Sequence, residues 1–187
     1  MTDLPGRQVR GLMLMLDANC INARGTDSAM NQIDKWRADR VVVVLMDETT
    51  HAEAARGWSA RRSRKAMGHV FSMDVGRSAD DEAAWWAIER ILFSSGCKND
   101  NERNDVQLVF QAMKHNANLV TRDGASRRQP GGILGNRDEL ARAVGVRILT
   151  PEDAVKKVRE KLQIRDERTR YLAGRHGLPL PAWLGKD

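Results

Sequence analysis

Short, continuous runs of apolar residues alternate along the chain with segments that repeat their apolar positions every three or four residues. Residues 12–16 and 41–45 form two such runs, and residues 119–121 and 146–149 are two shorter strand-like segments that each contain one polar residue. Runs of this length without polar alternation are typical of parallel strands that are buried on both faces. The pattern therefore predicts four strands.

Helical periodicity fills the intervals between these strands. One predicted helix begins near residue 28, a second follows the strand at residues 41–45, three more span residues 80–94, 106–115 and 138–144, and the last begins after Thr150. Thr150 followed by Pro151 is a strong helix start, because threonine caps a helix and proline is tolerated in its first turn. The order β-α-β-α-α-α-β-α-β-α predicts an α/β fold with three layers, α/β/α, around a central parallel sheet.

The chain length of 187 residues suits one domain with a sizeable core. We place this domain at residues 1–164. Residues 165–187 differ in character, because charged residues dominate their first part and two prolines and an isolated tryptophan occur in their second part. This tail either packs on the domain or serves as an arm for a protein or RNA partner.

Composition excludes several classes of protein. Apolar residues make up 41% and charged residues 30% of the chain, which argues against disorder. No apolar run approaches the roughly 20 residues of a membrane-spanning helix. Two cysteines, Cys20 and Cys97, cannot form a disulfide framework and suit a reducing compartment. We therefore expect a cytoplasmic protein without a membrane partner.

Basic residues exceed acidic residues by 31 to 25, a net charge of +6 that favours anionic partners such as nucleic acid. The excess is clustered in three places. One cluster contains Arg56, Arg61, Arg62, Arg64 and Lys65, a second contains Arg122, Arg127 and Arg128, and a third lies between residues 156 and 175. Any one cluster could equally be a solvated surface, so charge alone does not decide the function.

Four acids are predicted to meet at one edge of the sheet. Asp17 directly follows the first predicted strand and Asp123 the third, and chemistry in parallel sheets collects at such carboxyl ends. Asp105 precedes the helix that leads back to the third strand, so it returns to the same edge. Glu53 lies in the first turns of the helix after the second strand.

Four carboxylates in one place repel each other unless a cation neutralises them. Oxygen ligands suit Mg²⁺ or Mn²⁺, which can activate a water and stabilise the charge that develops on a phosphodiester. Surrounding arginines would hold the nucleic-acid backbone that the acids repel. Taken singly, each acid is more simply a helix cap or a solvated carboxylate, so the interpretation depends on their joint placement.

The residues around these acids resemble the PIN-domain ribonucleases, a family that includes the VapC-type toxins. Leu16-Asp17-Ala18-Asn19 looks like the opening motif of the family. The segment from Asp105 to Asp123 looks like its late motif, in which an acid opens a helix and Thr121-Arg122-Asp123 follows a short strand. The resemblance covers roughly residues 10–160.

This resemblance implies a metal-dependent endoribonuclease that uses Asp17, Glu53, Asp105 and Asp123 to bind Mg²⁺ or Mn²⁺. Glu48 or Asp47 could replace Glu53 if the helix begins earlier. Asn19 and Thr121 would orient ligands or the scissile phosphate. The residues expected to contact RNA phosphates are Arg61, Arg62, Arg64, Lys65, Arg122, Arg127 and Arg128.

The same resemblance implies an RNA substrate and a homodimer. It points either to the toxin of a toxin–antitoxin pair, with an antitoxin as protein partner, or to a nuclease of RNA processing or decay. The chain is longer than the compact toxins of the family. A second hypothesis is a non-catalytic RNA-binding module that keeps the fold while its acids serve only structure.

A dinucleotide-binding enzyme is a third hypothesis. The glycine cluster at residues 131–135 is its only support, and this cluster does not stand between a strand and a helix at the required spacing.

Overall fold

The central sheet is parallel throughout, as the apolar runs predict. The computed structural model describes residues 4–23, 25–55, 70–71, 78–124 and 131–187. In this part of the chain five strands pair in the order β3-β2-β1-β4-β5, and every pair is parallel. The strands are β1 (Met13–Leu16), β2 (Val43–Met46), β3 (Val70–Phe71), β4 (Asn118–Val120) and β5 (Arg147–Leu149). The four predicted strands are confirmed to within two residues, and β3 is an addition to the prediction.

Eight described helices surround the sheet. They are α1 (Ala18–Asn22), α2 (Ser28–Ala38), α3 (Glu48–Ala55), α4 (Ala79–Leu92), α5 (Asp100–Lys114), α6 (Gly132–Gly135), α7 (Arg137–Val144) and α8 (Pro151–His176). Side-chain caps explain several of the starts. Asp27 accepts a hydrogen bond from the Met30 amide at 2.9 Å, and Thr150 accepts one from the Asp153 amide at 3.1 Å ahead of Pro151. The predicted start of α8 is confirmed.

Helices cover both faces of the sheet, and alternate strand residues point to opposite faces. In β1, Leu14 and Leu16 pack into a core with α1, α2 and α8. Met15, between them, packs into a second core with α4, α5, α6 and α7. Because both faces are buried, β1 and β2 consist of apolar residues without polar alternation. The predicted three-layer α/β/α fold is confirmed.

The strand order places a topological switch point at the carboxyl edge of the sheet. β1 lies between β2 and β4, so the chain leaves β1 toward one side of the sheet and later reaches β4 on the other. Ligands of open α/β sheets bind at such a switch point, outside the carboxyl ends of the strands. Asp17 and Thr121 follow the two strands that flank it.

The start of α5 differs from the prediction. We predicted a helix from residue 106 with Asp105 just before it, whereas α5 begins at Asp100 and Asp105 lies in its second turn. The cap is Asn99, whose side-chain oxygen accepts a hydrogen bond from the Glu102 amide at 3.0 Å. The Glu102 carboxylate in turn accepts one from the Asn99 side chain at 2.9 Å. This polar first turn has no apolar periodicity, so the sequence pattern did not reveal it.

The C-terminal residues continue the domain without a break at residue 165. Helix α8 passes through the predicted boundary between residues 164 and 165. Arg165, Thr169 and Ala173 are buried beyond that boundary. The Asp187 carboxylate pairs with Arg165 at 3.0 Å and with Arg7 at 2.5 Å. Residues 165–187 therefore pack on the domain in this structure.

No helix in the described ranges is long and apolar enough to span a membrane.

Candidate carboxylate site

Asp17 is held at the end of β1 by contacts to its backbone and to its side chain. Its backbone amide donates a hydrogen bond to the Val120 carbonyl at 3.1 Å, which extends the pairing of β1 with β4. Its carboxylate caps α1 by accepting from the Asn19 amide at 3.3 Å. The residue is only 8% exposed. Both carboxylate oxygens are therefore fixed in direction, one by Asn19 and the other by Thr121.

Thr121 links the ends of β1 and β4. Its hydroxyl donates to Asp17 Oδ2 at 2.7 Å and accepts from the Asp123 amide at 2.9 Å. Its backbone amide donates to the Leu149 carbonyl at 3.1 Å, which continues the pairing with β5. Thr121 is fully buried, so this single hydroxyl sets the positions of two acids relative to each other.

Asp123 is anchored to α6 by a close approach of two backbone segments. Its Oδ2 accepts from the Ile133 amide at 2.8 Å, and its carbonyl accepts from the Leu134 amide at 3.0 Å. Gly132 has a φ of +54°, and a Cβ there would stand 2.1 Å from the Gly124 carbonyl oxygen. Only glycine fits this position. The glycine cluster thus shapes the candidate site, a role that the sequence analysis missed.

Glu53 reaches the site through the contact between α3 and α5. The Asn104 side-chain amide donates a hydrogen bond to Glu53 Oε1. Of the two alternatives, Asp47 accepts from the Thr50 amide at 2.6 Å and so caps α3, and Glu48 is exposed. The geometry therefore favours Glu53 as the acid of this helix. Asn104 is a partner that we did not identify from the sequence.

Asp17 and Asp105 both have pKa values that the charges of the other acids affect. Burial raises the pKa of Asp17 above its ordinary value, against the hydrogen bonds from Thr121 and Asn19, and the charges of Asp123 and Glu53 raise it further. Burial also raises the pKa of Asp105 to about 7, with contributions from the charges of Asp123, Asp17 and Glu53. The charges of the neighbouring acids therefore act on the ionisation of Asp17 and of Asp105.

The spacing of these acids is loose. Within the described ranges, no group of three or more His, Cys, Asp or Glu side chains stands close enough to hold a metal ion in its present position. Burial raises the pKa of the Cys97 thiol to about 12 and also raises that of Cys20, and neither thiol joins a group of three potential ligands among the described residues. Carboxylate oxygens are thus the donors available at this edge, and these suit Mg²⁺ or Mn²⁺.

Arg122, a predicted phosphate contact, and Asn19, predicted to orient ligands, have different surroundings in the structure. The Arg122 guanidinium pairs with Asp27 at the start of α2 and with Glu152 in the first turn of α8, so its charge is used within the protein. The side chain of Asn19 is exposed, and its backbone amide is what contacts Asp17. The other predicted phosphate contacts lie outside the described residues. They are Arg61, Arg62, Arg64, Lys65, Arg127 and Arg128.

Replacement of Thr121 by valine should destabilise the protein by about 1–3 kcal/mol, because the buried Asp17 carboxylate and the Asp123 amide both lose a partner. Urea denaturation measures the change, and Thr121→Ser serves as a control because it keeps the hydroxyl. Equal stability of the valine variant and the wild type would show that the Thr121 bridge contributes nothing.

Comparison with known proteins gives a structural likeness but no family assignment. No family model matches the chain, and no curated protein matches it. A chain in the crystal structure of VapBC2 from Rickettsia felis, bound to a DNA fragment from their promoter, aligns with a TM-score of 0.45 at 14% sequence identity. The alignment covers 74% of this chain and 98% of that one. A likeness at this level assigns no function, and the chain is similar to that protein without being identified with it.

Proposed function

We propose that this protein is a metal-dependent endoribonuclease whose four carboxylates bind Mg²⁺ or Mn²⁺. The observation that carries the proposal is that buried Asp17 and partly buried Asp105 both have raised pKa values, to which the charges of Asp123 and Glu53 contribute. Like charges held together in a partly buried site are unfavourable without a cation. Perturbed carboxylates in a crevice are also typical of functional sites.

The looseness of the site is compatible with these ions. Mg²⁺ usually keeps several waters and is held through one or two carboxylates rather than by a closed protein cage. When bound, such an ion supplies an activated water and offsets the charge that develops on the phosphodiester.

The chain itself orients the acids. Thr121 directs Asp17, Asn104 directs Glu53, and the Ile133 amide directs Asp123. Contacts of this kind hold metal-binding side chains in the geometry that a metal requires. The pKa values of Asp17 and Asp105 are both raised, so a nearby cation would stabilise the ionised form of each.

RNA is the proposed substrate because of the net charge of +6 and the resemblance of the motifs to PIN-domain ribonucleases. That resemblance also supports a cytoplasmic protein that forms a dimer, and a role either as the toxin of a toxin–antitoxin pair or in RNA processing or decay. An antitoxin would be the protein partner in the first case.

A non-catalytic RNA-binding module is the second candidate. It is favoured by the lack, in the described part of the chain, of three acids close enough to hold an ion as they stand. This candidate predicts salt-sensitive RNA binding without cleavage products in any metal. It also predicts no effect of metal on thermal stability, since only an ion that binds the folded state raises the melting temperature.

The test is cleavage of end-labelled single-stranded RNA by the purified protein with Mn²⁺, with Mg²⁺ and with EDTA. We expect products with either ion and none with EDTA. A melting curve under the same conditions should show an increase of about 5–10 °C when the ion is present at 100 times its dissociation constant. Absence of both products and stabilisation would refute the proposed nuclease and favour the binding module.

A further inference from the structure

One face of α8 carries a line of basic and apolar residues. Six positions follow each other at intervals of three or four residues and lie within about 40° of one line along the helix. We call this set the α8 stripe: Lys157, Lys161, Ile164, Arg168, Tyr171 and Arg175. It runs for about 27 Å at 1.5 Å per residue.

The α8 stripe is accessible to a partner. Ile164 is 58% exposed and Tyr171 is 64% exposed. Lys161, Arg168 and Arg175 are exposed as well, and Lys157 is half-buried. None of the ion pairs found between described residues involves Lys157, Lys161, Arg168 or Arg175. Four cations therefore stand in a row with no acid among them. This contrasts with Arg122, whose charge is neutralised inside the protein.

A groove runs beside the stripe. It is a cavity of about 270 Å³ between α8 and the segment that precedes β1, and it contacts the stripe at Lys161, Ile164 and Arg168. Leu4 and Val9 contribute apolar surface, and Arg10 adds a fifth cation. Among the residues that the structure describes, no acid lines this groove. A flat apolar group attached to an anionic chain matches such a surface.

We propose that the α8 stripe and its groove form a binding track for single-stranded RNA, separate from the acids at the sheet edge. Cations in a row are the electrostatic footprint of a nucleic-acid backbone, and an exposed aromatic ring among them provides a stacking surface for bases. Tyr171 provides that ring, and the apolar groove has room for a base. Sites of this kind accommodate about 4–16 nucleotides.

The pattern fits RNA better than a protein helix. A helix that docks in a groove requires a continuous apolar seam at spacings of three and four residues. In the stripe, Ile164 and Tyr171 are each flanked by cations, so no such seam exists. The inference rests on the proposed RNA substrate, which the acidic edge repels and which must therefore be held by cations elsewhere. Arg122, next to Asp123, is already paired with Asp27 and Glu152.

The test is RNA binding in EDTA, where cleavage plays no part. A fluorescein-labelled single-stranded RNA of about 16 nucleotides is titrated at several salt concentrations, and its anisotropy is followed. The first variant is Lys161→Gln/Arg168→Gln. Its matched control is Lys156→Gln/Arg159→Gln, which removes the same charge from another side of α8, near Glu152 and Glu160.

We expect the stripe variant to bind about tenfold more weakly or worse, with a salt-dependence slope smaller by about 1.4, or 0.7 for each lost phosphate contact. The control should retain the wild-type slope. Tyr171→Ala should weaken binding by about tenfold, whereas Tyr171→Phe keeps the ring and should bind as the wild type does. All variants should melt as the wild type does, because the replaced side chains are exposed.

An unchanged affinity and slope in the stripe variant would overturn the proposal and leave an acidic protein segment as the partner of this face. Equal losses in the stripe and control variants would also overturn it, since binding would then follow net charge alone. A protein that binds RNA through the stripe but cleaves none would refute the nuclease and keep the track. RNA cleavage together with RNA binding that the stripe variant leaves unchanged would support the nuclease and refute the binding track.

Discussion

Replacement of either Asp17 or Asp123 by asparagine is expected to abolish metal-dependent RNA cleavage, with a loss of about 10³-fold or more. A bound ion supplies several kcal/mol of charge stabilisation at a phosphodiester, and each 1.36 kcal/mol corresponds to a factor of ten in rate. Asparagine keeps the shape of the side chain and can still accept hydrogen bonds. It lacks the charge that attracts a divalent ion.

The two variants should stay folded for different reasons. Asp17 accepts hydrogen bonds from Thr121 and from the Asn19 amide, and the amide oxygen of asparagine can replace one of these acceptors. Asparagine is uncharged, so its burial avoids the desolvation cost that raises the pKa of Asp17. At Asp123, the asparagine oxygen can accept the hydrogen bond from the Ile133 amide.

The measurement is the initial rate of cleavage of end-labelled RNA in Mn²⁺, with a melting curve for each variant. Asp138→Asn is the matched control, because its carboxylate is 93% exposed on α7 and the chemical change is the same. Wild-type rates in both site variants would remove these acids from the site. Cleavage by the Asp17→Asn/Asp123→Asn double variant would indicate a contaminating nuclease or a different active site.

Replacement of Asp105 by asparagine is expected to stabilise the metal-free protein above neutral pH. Burial and the neighbouring carboxylates raise the pKa of Asp105 from its ordinary 3.8 to about 7 in the folded state. Between these two values the folded state binds the proton more tightly than the unfolded state does. Stability contributed by the protonated form is therefore fully present below about pH 4 and is lost as the pH rises toward 7.

The size of this effect follows from the shift. A change of about three pKa units corresponds to about 4 kcal/mol, and because the side chain is only partly buried we expect about 2–4 kcal/mol above pH 7. Asparagine carries no charge at any pH, so it avoids this cost. The variant should therefore exceed the wild type in stability at pH 8 and match it near pH 4.

Urea denaturation in EDTA at several pH values measures the difference, with Asp138→Asn as the control. In Mn²⁺ the wild type should be more stable than the variant, because an ion at the site stabilises the wild type and the variant offers the ion one carboxylate fewer. A difference between variant and wild type that does not change with pH would show that Asp105 ionises normally. Equal stabilisation of both proteins by Mn²⁺ would exclude Asp105 from the metal site.

The layered fold could be predicted because it depends on local patterns. Continuous apolar runs occur only where a strand is buried on both faces, and the helical segments between them require parallel crossovers. Thr150 followed by Pro151 predicts the start of α8, because the capping threonine and the first-turn proline are adjacent in the chain. The positions of Asp17 and Asp123 after their strands follow in the same way, since parallel strands end at one edge.

The composition of the site could be predicted only in part, because several of its contacts join distant segments. Glu53 is favoured over Glu48 by the packing of α3 against α5, where Asn104 donates to it across 51 positions in the chain. The sequence predicts that Arg122 contacts phosphates, whereas in the fold Arg122 forms ion pairs with Asp27 and Glu152. No spacing along the chain encodes such partners.

The sequence by itself determined the class of fold, the edge at which chemistry can occur and the acids that follow β1 and β4, because strand burial and helix capping act over a few residues. Tertiary structure alone decided which charges are neutralised and which are exposed. It buried Arg165 beneath the tail while it left Lys161 and Arg168 on the surface of the same helix. Those three residues carry the same charge, but different parts of the chain pack against them, and packing is a property of the whole chain.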